Sequence, residues 1–195
     1  MRRTMLLLVV MAATLVVASG VALAVVRSGG PGDDTLTGTN GSDALSGNGG
    51  DDDLLGRGGS DALSGGKGRD AVLGGNEVGP KGGGDKALSG GPGRDFVGGG
   101  NGGDALSGGP GGDLLIYGGC REQDRDSIAG GGGRDAIGAR NRPASRDVID
   151  CGGGFDRVLV DSKDLTSDCE KKFTSARKAF RSIRGEGYFQ PLNSL

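Results

Sequence analysis

Residues 29–73 decide the fold. They read GGPGDDTLT (29–37), GTNGSDALS (38–46), GNGGDDDLL (47–55), GRGGSDALS (56–64) and GGKGRDAVL (65–73). These five nonapeptides follow one another without a gap, each with Asp at its sixth place and a large apolar residue at its eighth. Self-similarity at a fixed short period is the mark of a stacked-repeat architecture. Carried outward, the frame meets a seven-residue insertion at 74–80 and then four copies with Lys86, Asp95, Asp104 and Asp113 at the sixth place. A four-residue slip leads to Asp126 and Asp135, and a three-residue slip to Asp147 and Asp156. Thirteen copies fit between Gly29 and Leu159, with Asp at the sixth place in twelve and an apolar residue at the eighth in all thirteen.

Each residue type suits its place. Glycines at the first four positions allow the positive φ values and close backbone approach of a tight turn. The trailing triplets, such as Ala44-Leu45-Ser46 and Ala105-Leu106-Ser107, make short strands whose middle side chain points inward. One such unit cannot bury its single Leu alone, so the copies must stack, two to a coil, and the eighth positions then form an apolar ladder. The expected fold is all-β, a right-handed parallel β-roll or β-helix solenoid with a short C-terminal capping helix.

Stacking also brings the acids together. Neighbouring coils lie ~4.8 Å apart, so each sixth-position Asp stands about that far from the Asp two copies later. A calcium ion with Ca–O distances of ~2.3–2.6 Å fits between them. Without the ion the two charges repel by roughly 1 kcal/mol in water and up to ~4 kcal/mol at an effective dielectric near 20.

The pattern G-G-x-G-x-D-x-U-x resembles the RTX, or hemolysin-type, calcium-binding nonapeptide. The resemblance implies that the first six residues form a calcium turn, with the sixth carboxylate and turn carbonyls as ligands, and that the last three form the strand of a parallel β-roll. It nominates Asp34, Asp43, Asp52, Asp61, Asp70, Asp95, Asp104, Asp113, Asp126, Asp135, Asp147 and Asp156 as calcium ligands. Repulsion between the facing acids and the entropic cost of ordering glycine-rich turns predict that the chain is largely unfolded without calcium and folds on meeting it. The turns before Asp126 and Asp147 are degenerate, with Asp124 and Ser145 at the fourth place, and Lys86 is expected to replace one ion with a fixed cation.

Composition narrows the function classes. Gly plus Pro reach 45 and 6 of 195 residues, so an ordinary two-layer core is not expected. His is absent, which removes imidazole acid–base work, Ser–His or Cys–His nucleophiles and imidazole metal sites. An enzyme would have only paired carboxylates, and these stand in metal register, so no enzymatic activity is expected. Residues 29–159 carry 20 acids against 13 bases, which argues against nucleic acid as a partner. The leading reading is a secreted, structural or surface-associated calcium-binding module, and the alternative is a calcium-stiffened adhesion protein that contacts a glycan or cell surface.

The ends read differently. Arg2 and Arg3 precede an apolar stretch broken by Ser19 and Gly20 and followed by Ala22-Leu23-Ala24, the layout of a signal peptide cleaved after Ala24. Residues 25–28 form a short lead, 29–159 the roll, and 160–195 a cap and tail. Phe173, Ala176, Phe180 and Ile183 recur at helical spacing among basic residues, which predicts a capping helix whose basic face could also meet a membrane. Outside the cytoplasm, Cys151 and Cys169 are expected to pair and staple the roll to its tail, with Cys120 free or intermolecular.

Overall fold

A computed structural model describes residues 23–75, 84–85, 87–116, 124–139 and 144–174. The turn-and-strand unit repeats along all of them, and successive strands alternate between two parallel sheets. The first sheet takes Val26–Ser28, Ala44–Gly49, Ala62–Lys67, Ala87–Ser89, Ala105–Gly111, Ser127–Gly133, Val148–Asp150 and Leu165–Ser167, with Gly153–Gly154 beside Ser127–Gly133. The second takes Thr35–Thr37, Asp53–Arg57, Ala71–Gly75, Phe96–Gly100, Leu114–Ile116, Ala136–Ala139, Arg157–Val160 and Lys171–Phe173. Two nonapeptides make one coil, and the chain is a parallel β-solenoid.

Register follows the eighth position throughout. In the gapless region Leu45 pairs with Leu63 and Leu36 with Leu54, 18 residues apart. Across the insertions the distance stretches while the apolar partners are kept: Leu63 with Leu88, Val72 with Val97, Leu106 with Ile128, and Ile137 with Val158. A one-residue slip would turn every Leu outward, so burial of this single row pins the register and extra residues are expelled into turns. The inward row from Leu45 to Val158 is at most 3% exposed at every described rung, and only the first rung, Leu36, is partly open.

The outer faces of the two sheets differ. The first presents Ala44, Ala62 and Ala105 with Ser46, Ser64 and Ser107, whereas the second presents Leu55, Leu73, Leu114 and Ile116. Turn backbones reach positive φ mostly at Gly, but Asn48 (φ 81°) and Arg57 (φ 84°) adopt it as well. Asn enters that region readily, while Arg enters it at a cost.

The sheets continue past the nonapeptide frame at both ends, through Val26–Ser28 before it and through Leu165–Ser167 and Lys171–Phe173 after it. Lys171–Phe173, at the start of the segment expected to be helical, is a strand paired with Arg157–Leu159. The rest of that segment lies outside the described residues, as do Cys120, Lys86 and most of the expected signal peptide. Among the described residues there is no helix. Cys151 and Cys169 form a disulfide with Cα atoms 5.1 Å apart, and the fully buried Cys151 adds its sulfur to the end of the apolar row.

Candidate metal centre

Every nonapeptide turn delivers its sixth residue to one of two edges of the solenoid, just before the strand begins. Along the first edge stand Asp34, Asp52, Asp70, Asp95, Asp113, Asp135 and Asp156; along the second, Asp43, Asp61, Asp85, Asp104, Asp126 and Asp147. Each carboxylate reaches back one coil and accepts the backbone N–H of the Asp there through Oδ1. The first edge runs Asp34 to Asp52 (2.7 Å), Asp52 to Asp70 (2.9 Å), Asp70 to Asp95 (2.9 Å), Asp95 to Asp113 (2.9 Å), Asp113 to Asp135 (2.8 Å) and Asp135 to Asp156 (2.8 Å). The second runs through Asp43, Asp61, Asp85, Asp104, Asp126 and Asp147 at 2.7–3.0 Å.

All twelve Asp nominated from the sequence lie on these ladders, and all except the terminal Asp34 are buried. One assignment is corrected. Asp85, not Lys86, carries the sixth-position role: it accepts the Asp61 N–H at 2.9 Å and donates its own N–H to Asp104 at 2.7 Å. The rung needs an acceptor, and an ammonium has none. Six of the seven extra residues therefore fall before Asp85 and one after it, and the displaced Ala87 N–H reaches the Asp61 carbonyl only at 3.5 Å. The aspartate series has no gap.

Two further acids prolong the ladders beyond the frame. Asp164 accepts from the Asp147 N–H at 3.3 Å, and Glu170 from the Asp156 N–H at 2.7 Å. Neither follows a glycine turn, which hides them in the sequence. The only signal is an acid directly before a strand triplet, Leu165-Thr166-Ser167 or Lys171-Lys172-Phe173.

The second carboxylate oxygens give the site its chemistry. Oδ2 of Asp52, Asp61, Asp70, Asp95, Asp104, Asp113, Asp135 and Asp156 is buried with no hydrogen-bond partner. A buried carboxylate oxygen left without a partner costs a fold stability unless a cation meets it. Except at Asp156, whose turn opens with Cys151, each such oxygen points to a hollow left by the missing side chain of the first-position Gly. A Cβ on Gly108 would lie 2.5 Å from Asp113 Oδ2 and 2.6 Å from the Gly130 carbonyl of the next coil, and the same pair of oxygens converges at Gly47 and Gly56. Among the described residues no three His, Cys, Asp or Glu side chains converge, and the donors that meet at these hollows are a carboxylate oxygen and a main-chain carbonyl. That all-oxygen donor set suits a hard cation of calcium's size.

Burial pushes the Asp95, Asp104 and Asp135 carboxyls up to about 6 and Asp113 up to about 7. The accepted N–H of the preceding coil pulls each the other way, and a nearby acid adds to the rise: Asp70 for Asp95, Asp124 for Asp104, Asp135 for Asp113, Asp156 for Asp135. Asp61, Asp70 and Asp156 are raised for the same leading reason.

The hollow makes a direct prediction. Gly108→Ala should cost about 1–3 kcal/mol of calcium-dependent stability, since its methyl would occupy the space between two oxygens. Gly132→Ala, with nothing within 4 Å of the added Cβ, should change stability by no more than about 1 kcal/mol and in the stabilising direction, and calcium-dependent thermal melts of the two variants check the contrast.

Residues 28–63 and 47–77 match the model of the RTX calcium-binding nonapeptide repeat (4 copies). No curated protein matches the chain. The chain thus carries RTX calcium-binding nonapeptide repeats over residues 28–77, and calcium is the ion those repeats bind.

Proposed function

We propose that the protein is a secreted structural module that folds when it meets extracellular calcium, with the nominated Asp other than Asp43, together with Asp85, as its carboxylate ligands. The observation that carries the reading is the series of buried ladder carboxylates, Asp52, Asp61, Asp70, Asp95, Asp104, Asp113, Asp135 and Asp156, whose second oxygens have no hydrogen-bond partner. Calcium would be held by these oxygens and the first-position carbonyls beside them, and it would supply the positive charge that lets the carboxylates stay ionised in the interior. Metal binding then becomes folding free energy.

An adhesion platform would call for a row of exposed aromatic rings. Phe96 instead has Ala71 and Leu114 as its partners in the adjoining strands, and Phe155 stands in a turn, so the described surface favours the structural reading. Limited proteolysis of residues 25–195 tests the proposal. Cleavage throughout the repeats in chelator and resistance in millimolar calcium are expected; equal resistance in both would overturn it.

A further inference from the structure

The second-edge ladder begins at a rung unlike the others. The coil before Asp43 has no acid to offer, because the residue 18 positions earlier is Val25. The Val25 backbone N–H nevertheless takes the same place and donates to Asp43 Oδ1 at 2.7 Å. Asp43 is 3% exposed, so this contact is made by a buried carboxylate. Its second oxygen accepts the Thr39 backbone N–H, and the Thr39 hydroxyl oxygen lies 3.1 Å from it. Oδ2 of Asp52, Asp61, Asp70, Asp95, Asp104, Asp113, Asp135 and Asp156 lacks that second set of partners.

Val25 is also the residue that follows Ala22-Leu23-Ala24. We infer that cleavage after Ala24 turns this rung into an ion pair, so that the new α-ammonium of Val25 is the fixed cation that starts the second-edge ladder at Asp43. The inference rests on the reading of residues 1–24 as a removed signal peptide. Hydrolysis by a signal-peptidase-type protease adds water across the Ala24–Val25 bond, leaving a carboxylate on the released Ala24 and an amine on Val25, which carries a proton at neutral pH. The donor atom is unchanged, but one amide N–H becomes three N–H donors with a full positive charge beside a buried anion, and charge-assisted hydrogen bonds are roughly twice as strong as neutral ones.

The surroundings fit this processing. Leu23 and Ala24 are exposed and outside the apolar row, so their loss removes no core. Among the described residues the Thr39 hydroxyl ties this segment, donating to the Leu23 carbonyl at 2.7 Å in the uncut chain. Once Leu23 is gone, that hydroxyl can turn to Asp43, only 3.1–3.2 Å away. Because the scissile nitrogen itself sits in the rung, cleavage must precede folding of the first coil.

The test compares three chains in calcium: one that begins at Val25 after release from a removable fusion, the same chain acetylated on the Val25 amine, and one that begins at Leu23. The free-amine chain should have a folded-to-unfolded ratio about fivefold above the other two, the difference between a charged and a neutral hydrogen bond. In an Asp43→Asn background, where the amide oxygen still accepts but the charge is gone, the advantage should vanish. Equal stability of the three chains, or the same advantage in both backgrounds, would overturn the inference. A second readout needs no substitution: in calcium the Val25 amine should resist acylation by an active ester, measured on the N-terminal peptide by mass spectrometry, and become reactive in chelator. Equal labelling in both conditions would count against the ion pair. N-terminal sequencing of exported protein checks the premise, and a mature terminus other than Val25 would overturn it. Failure of all three chains to gain order with calcium would count against the calcium reading instead, and would take this inference with it.

Discussion

Asp113→Ala should destabilise the calcium-loaded protein by about 2–4 kcal/mol, whereas Asp53→Ala should change it by under about 0.5 kcal/mol. Both substitutions remove one acid, so net charge cannot explain a difference. Asp113 is buried and accepts the Asp95 N–H at 2.9 Å, and its loss strands that donor in the interior while emptying one hollow of its carboxylate. Asp53 is exposed on the outer face of the second sheet. Asp113→Asn separates the two roles of the side chain. Its amide oxygen keeps the rung and its lost charge weakens the cation site, so the variant should be more ordered than the parent in chelator and less stable than the parent in calcium. Chemical denaturation in both conditions measures this, and a change of the same sign in both would show that the carboxylate serves hydrogen bonding alone.

Acid should act in opposite directions with and without calcium. The Asp113 carboxyl is raised from 3.8 to about 7, and those of Asp95, Asp104, Asp135 and Asp164 to about 6, chiefly by burial. A raised carboxyl holds its proton in the folded chain at a pH where the unfolded chain has lost it. Its stabilising contribution is therefore complete below the unfolded value of 3.8 and is lost as pH rises through 6 and 7. In chelator, taking the protein from pH 8 to pH 5 should increase its β signal. In calcium the same change should decrease it, because protonation removes the ligands. Circular dichroism along both pH series gives the answer, and parallel trends would contradict it.

Much of this was legible in the nonapeptide phase. The eighth-position row and the sixth-position series require a coil of two repeats, and both survive insertions of different length because burial of Leu, Val and Ile fixes register more firmly than turn length does. The phase failed where it was followed too literally. At Lys86 the frame counted residues, while the fold selected the neighbouring Asp85 because the rung demands an acceptor. Asp164 and Glu170 were invisible because they lack glycine turns and are placed by the sheets they precede. The hollows beside Gly47, Gly56 and Gly108 were implicit in the glycine pattern, but the convergence of a carboxylate and a next-coil carbonyl on one point is a property of stacked coils that no single repeat displays.

On the proposed reading, the buried Oδ2 atoms that lack a hydrogen-bond partner, such as those of Asp52 and Asp113, make the solenoid depend on calcium. Residues 25–195 should be titrated with calcium at pH 8 from a chelated state, with the far-ultraviolet circular dichroism followed alongside the number of ions bound. The account predicts little β signal in chelator, a cooperative gain with calcium and bound ions rising in step with it, and little gain with magnesium, which demands tight octahedral geometry and keeps its waters. A chain equally rich in β structure in excess chelator would contradict it.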